Sequence, residues 1–104
     1  MDIKLTIIDA MKKLNEFAME VNLDSNTDAL IFVWTSPHCF STEVTLYKDG
    51  WKRGAAPDIS RDLSYLSYKE DFSKHICKSD YEVAAKFADD VDKLIIEMKQ
   101  EVYK

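Results

Sequence analysis

Both histidines and both cysteines of this chain lie in two short segments. His38 and Cys39 are adjacent, and His75 and Cys77 are separated by one residue. Imidazole nitrogens and thiolates are ligands that zinc prefers in proteins, and a histidine beside a cysteine can also activate a thiolate nucleophile. These four side chains are therefore the candidates for metal or thiol chemistry.

The spacing of the four residues argues against both kinds of site. Ligand pairs in structural zinc sites are usually separated by roughly two to four residues, and adjacent residues on a strand point to opposite faces. No glycine-rich turn lies near either cysteine to supply an oxyanion site. We therefore expect no metal, no cofactor and no catalytic residue, and we interpret both cysteines as small apolar side chains.

The segment DGWKRG, residues 49–54, raises a different possibility, because it places an aromatic ring and two cations in a turn. An Asp-Gly pair predicts a two-residue hairpin turn. In that register Trp51 faces the core and closes its end, while Lys52 lies opposite Tyr47 on the outer face. We expect the strand to break at Arg53, so that both cations face solvent.

Five segments carry the pattern of a regular element. Apolar residues at three- and four-residue spacing predict helices over 3–22 and 80–103. The run 29–36 is apolar, β-branched and aromatic and predicts a strand buried on both faces, whereas 40–48 alternates as a half-buried strand does. A third strand is predicted around 62–69, although a short helix also fits there.

These elements predict one α+β domain over residues 1–104. Its order is α-β-β-β-α, with two amphipathic helices packed on one face of a small antiparallel sheet. The apolar stripes of the helices are near heptad spacing, so a helix-mediated homodimer stays open as an alternative.

The carboxylates of the last predicted helix lack the pattern of a cation site. Asp89, Asp90 and Asp92 share no loop with an ordering glycine, as calcium sites require. Lys86 and Lys93 lie four residues from Asp90 and Asp89, which is typical of a solvated, charge-laced helix face.

The formal net charge is -5, and of the four segments 1–26, 27–50, 51–75 and 76–104 only 51–75 is net positive. Clustered cations are what a phosphate backbone requires, so nucleic acid is not the partner that we expect first. The apolar runs are too short for a membrane span or a signal peptide. With two cysteines only, we expect a cytoplasmic protein with reduced thiols.

The predicted α-β-β-β-α order is similar to that of double-stranded-RNA-binding domains. That likeness implies an RNA-binding alternative, in which a lysine cluster begins the second helix and meets phosphates across a groove. Here the helix begins KSDYEVAAKFADD, in which acids outnumber lysines. The likeness therefore covers element order alone, and we carry no site residue across from it.

By elimination, the sequence favours a non-enzymatic protein that binds another protein. Compact acidic proteins of this length are typical of phage and mobile-element inhibitors of host machinery, so we expect a basic, nucleic-acid-binding partner. Tryptophan, tyrosine and arginine dominate binding hot spots. The expected contact residues, in the basic segment and on the acidic face of the last helix, are Trp51, Lys52, Arg53, Tyr65, Tyr68, Glu82, Asp89 and Asp90.

Overall fold

The chain folds as a helix, three antiparallel strands and a second helix, as its sequence predicts. The computed structural model describes residues 2–36, 41–65 and 78–103. The elements are α1 (Ile3–Asn22), β1 (Leu30–Ser36), β2 (Ser41–Tyr47), β3 (Ile59–Ser64) and α2 (Lys78–Val102).

The first helix begins at a side-chain cap and packs through its later turns. The Asp2 carboxylate accepts a hydrogen bond from the Leu5 backbone N–H at 3.2 Å, which satisfies one donor left free at the helix start. Leu14 and Val21 of the predicted stripe are buried, whereas Leu5 is exposed. The stripe therefore joins the core from the second turn of α1 onward, where Ile7 packs against it.

The second helix lies beside α1 and runs in the same direction. Lys13 pairs with Asp92 at 3.5 Å near the middle of both helices. The Tyr103 hydroxyl lies 3.3 Å from the Asp24 carboxylate at their ends. The predicted apolar face of α2 is confirmed, since the core contains Ala84, Phe87, Val91, Leu94 and Met98.

The sheet has the strand order β1-β2-β3, and β2 lies in the middle. Val44 of β2 lies between Val33 of β1 and Arg61 of β3. Inward side chains of the sheet meet the two helices in one core, which includes Ile31, Val44, Leu46 and Ile59. The helices thus cover one face of the sheet, as predicted.

The predicted burial of β1 on both faces is wrong. Phe32 is 48% exposed and Trp34 is 73% exposed, because both point away from the helices. A continuous apolar run fits a doubly buried strand and also a strand with an exposed aromatic face, so the pattern alone did not separate them. The outer face of the sheet consequently carries aromatic side chains.

The predicted two-residue hairpin after β2 is also wrong. Leu46 pairs with Ile59 rather than with Arg53, so β3 occupies Ile59–Ser64 and begins earlier than the predicted 62–69. The intervening residues 48–58 form a closed surface loop. The Asp58 N–H donates to the Leu46 carbonyl at 2.8 Å, and the Asp58 carboxylate accepts from the Lys48 N–H at 2.8 Å.

Candidate functional site

The outer face of the sheet is the most distinctive surface of the described structure. Antiparallel pairing with β2 aligns side chains of all three strands across it. The residues that point outward from the strand centres are Leu30, Phe32, Trp34, Glu43, Thr45, Tyr47, Ser60 and Asp62. Neither helix covers this face.

One row across this face combines an indole with two carboxylates. Trp34 lies directly opposite Glu43, and Glu43 lies directly opposite Asp62 on its other side. We call these three residues the acidic row. Opposed side chains on neighbouring strands are about 5 Å apart at Cβ, and like charges in that arrangement repel each other. The acidic row is thus a place where an added cation would be stabilised.

No cation of the protein neutralises the acidic row within the described residues. Arg61 is the one cation of the three strands, and it points to the helix-covered face. Its guanidinium binds Glu97 of α2 at 2.7 Å. No ion pair or hydrogen bond engages Glu43 or Asp62 in the described parts of the chain.

Two aromatic rings pack against each other on the outer face of the sheet, on one side of the acidic row. The rings of Phe32 and Tyr47 meet edge to face, with centroids 5.8 Å apart at 89°. That contact orders both rings without covering them, since Phe32 remains half exposed. An ordered aromatic surface costs less entropy on binding than one that must be immobilised.

The predicted loop site has a different character. Trp51 is 57% exposed, so the prediction that it closes the core end is wrong. The reason is the longer loop, which removes the hairpin register that turned Trp51 inward. Lys52 and Arg53 are exposed beside it, as predicted. The loop therefore presents a ring with cations, whereas the acidic row presents a ring with carboxylates.

The predicted acidic face of α2 is largely neutralised by its own lysines. Lys86 binds Asp90 at 2.7 Å, and Lys93 binds Asp89 at 2.8 Å. The hydrogen bond that Lys93 donates to the Asp89 carboxylate, followed by the charge of that carboxylate, raises the pKa of Lys93 above its usual value. Glu82 is exposed on the same helix.

Of the two predicted tyrosines, Tyr65 joins neither surface. Tyr65 is half-buried, and its ring packs edge to face on Phe87 at 5.8 Å, so it belongs to the core. Burial raises the pKa of its hydroxyl. Tyr68 lies outside the described residues, as do the four histidines and cysteines considered above.

The predicted site residues that the structure describes thus fall on three separate regions: the loop, the core edge and α2. The acidic row was not among the predicted sites. Two signals pointed to it, namely the two-residue spacing of Phe32 and Trp34 and the outward position of Glu43. Asp62 joined them only through the register of β3, which the sequence placed later.

The chain matches no protein-family model, no curated protein and no solved structure. Among the described residues, no group of three potential metal ligands is close enough to hold an ion. The described helices include none that is long and apolar enough to cross a membrane.

Proposed function

We propose that this chain is a protein-binding module whose outer sheet face receives a positively charged segment of its partner. The observation that carries the proposal is the acidic row, where the 73% exposed Trp34 lies in line with Glu43 and Asp62. An exposed indole next to two carboxylates that pair with no cation of the described residues matches the guanidinium group of arginine, which stacks on aromatic rings and pairs with carboxylates.

The charge of the whole molecule supports the same partner. A net charge of -5 attracts a basic surface over longer distances and speeds its encounter. Basic protein surfaces also bind nucleic acid phosphates. Occupation of such a surface would compete with nucleic acid, so we propose that the activity is inhibition of a nucleic-acid-binding protein, rather than catalysis.

The exposed loop gives a second candidate function. Trp51 with Lys52 and Arg53 is a combination that stacks on bases and meets phosphates, which favours nucleic acid rather than a basic protein. The two candidates use different residues, so paired variants can separate them.

The test is capture of partners from lysate of the native host, with and without nuclease. One variant removes the charges of the acidic row, by Glu43→Gln and Asp62→Asn. A matched control removes the same number of charges from α2, by Asp89→Asn and Asp90→Asn. A third variant, Trp51→Ala with Arg53→Ala, removes the loop site. Circular dichroism and urea unfolding check that each variant is folded.

The proposal predicts a basic protein that is captured despite nuclease, lost with the acidic-row variant and retained with the other two. Capture that is retained by the acidic-row variant and lost with the α2 control would place binding on the helix and overturn the site. Capture that disappears with nuclease and with the loop variant would support nucleic acid binding instead. The purified partner should also lose affinity for nucleic acid when this chain is added.

A further inference from the structure

In the part of the chain that the structure describes, β1 is an edge strand of the sheet and lies beside the acidic row. Among the described strands it pairs with β2 alone, so backbone groups on its other side point away from the sheet. The N–H and C=O of Ile31 are two of these backbone groups, and the Asn22 side chain binds both. Alternate residues of a strand direct their backbone N–H and C=O groups to the same side. The N–H and C=O groups of Val33 and Thr35 therefore also point away from β2.

The backbone N–H and C=O groups of Val33 and Thr35 that point away from β2 have no partner among the described residues. In the described part of the chain, no backbone or side-chain hydrogen bond engages these two N–H groups and two carbonyls. Asn22 blocks the first part of the edge only. Any strand added to β1 must therefore pair with its second half, from Val33 onward.

The sequence of β1 lacks the features that usually prevent strand addition. Charged residues, prolines and bulges normally protect the edge of a sheet. The strand reads LIFVWTS, without a charge, proline or glycine. The opposite edge strand, β3, carries Arg61 and Asp62. The two edges thus differ, and β1 is the one suited to pair with another strand.

We propose that β1 accepts an extended, basic segment of the partner as a fourth strand. The inference rests on the proposed function and adds the mode of binding. Neighbouring strands are about 4.8 Å apart, so a side chain of the added strand next to Trp34 lies on the outer face. An arginine there reaches across the indole toward Glu43. Main-chain hydrogen bonds supply affinity, and the acidic row selects the charge.

The probe is a capped peptide of alternating arginine and valine. With valines on the helix side, arginines lie on the outer face. Two further peptides keep every side chain and every charge but carry N-methyl groups on all valines or on all arginines. Antiparallel addition uses the valine N–H groups at Val33 and Thr35, whereas parallel addition uses the arginine N–H groups. Only one methylated peptide should therefore fail to bind.

Amide hydrogen exchange, followed residue by residue by NMR with millimolar peptide, is the measurement. The inference predicts that exchange at Val33 and Thr35 slows several-fold with the unmodified peptide and with one methylated peptide only. A Val33→Pro variant, which removes one outward donor, should bind more weakly. If Val33→Pro does not fold, the comparison of the three peptides alone tests strand addition.

Two results would overturn strand addition. In the first, all three peptides shift the resonances of Trp34, Glu43 and Asp62 equally and leave exchange at Val33 and Thr35 unchanged. The proposed function then stands, and the partner binds the face alone. In the second, exchange at both amides is already slow without peptide and the chain sediments as a dimer, so that a second copy occupies the edge. Absence of any effect of the unmodified peptide also overturns the inference, while lysate capture tests the proposed function independently.

Discussion

The side-chain amide of Asn22 forms two hydrogen bonds with the backbone of Ile31, one through each polar atom. Its oxygen accepts from the Ile31 N–H at 2.7 Å, and its nitrogen donates to the Ile31 carbonyl at 2.9 Å. The last residue of α1 thus takes the place of a neighbouring strand at one position of the β1 edge. This contact fixes the end of the helix against the sheet.

Loss of the Asn22 amide is expected to destabilise the fold. Asn22→Ala leaves a partly buried backbone donor and acceptor without partners, which costs about 1–3 kcal/mol of unfolding free energy. Urea denaturation measures the difference. The matched control is Asn15→Ala on the exposed side of the same helix, which should change stability by less than about 0.5 kcal/mol. Equal effects of the two substitutions would contradict the role of Asn22.

Reversal of one charge in the acidic row should stabilise the protein and weaken its binding. Glu43→Lys replaces a repulsive pair with an attractive one opposite Asp62, which is worth about 0.2–1 kcal/mol. Urea unfolding should show a higher midpoint, while capture of the basic partner falls. A variant that unfolds more easily and still captures the partner would count against both the repulsion and the site.

The two glycines of the loop allow a paired test of its closure. Gly50 and Gly54 have φ angles of 84° and 82°, a region that costs other residues roughly 1–2 kcal/mol. A Cβ atom at Gly50 would lie 3.2 Å from the Asp28 carbonyl oxygen, whereas none lies near a Cβ at Gly54. Gly50→Ala should therefore lower the unfolding free energy more than Gly54→Ala. The opposite order would show that the loop does not pack against the start of β1.

Tryptophan fluorescence should distinguish the two exposed rings. Trp34 and Trp51 are the only tryptophans, and both are largely exposed, so native emission should resemble that of the unfolded chain. Binding of the arginine–valine peptide should shift emission to shorter wavelength in Trp51→Phe, which reports Trp34 alone. The reciprocal variant, Trp34→Phe, should show no shift. A shift in the reciprocal variant only would move the binding site to the loop.

Alkaline pH should weaken the contact between the helix ends. Burial, together with the hydrogen bond to Asp24, raises the pKa of Tyr103 above its usual value of 10.0. A pKa raised in the folded state contributes stability below the unfolded pKa, and that contribution is lost as pH rises through the folded pKa. Stability should therefore fall above about pH 10, by a smaller amount in Tyr103→Phe. Identical pH profiles for both proteins would exclude this contribution.

The helices and the order of the elements could be predicted from the sequence because their signals are long and local. The stripe of α2 repeats over about five turns, and Phe87, Val91 and Met98 are buried as the spacing requires. The alternation of β2 likewise placed Val44 inward and Glu43 outward. Such patterns depend on neighbours within the same element.

The acidic row could not be predicted, because it forms through the register in which β1, β2 and β3 pair. Residue spacing within one strand does not determine that register. The Asp-Gly pair does lie in a turn, since the Gly50 N–H binds the Tyr47 carbonyl at 3.2 Å. The chain then continues through the loop to Asp58, and this delay sets which residue of β3 faces Glu43. The Asp-Gly pair therefore predicted correctly that the chain turns after β2. It wrongly assigned the residues directly after Gly50, rather than β3, as the pairing partner of β2.

The common direction of the two helices has an electrostatic consequence. Each helix is a dipole whose negative pole lies at its carboxyl end, and parallel dipoles add. Both carboxyl ends lie at the same end of the molecule, as the contact of Asp24 with Tyr103 requires. The loop 48–58 lies at that end too, since Gly50 approaches Asp28. Its cations therefore offset the combined dipoles, which lowers the positive potential that a phosphate group would meet there.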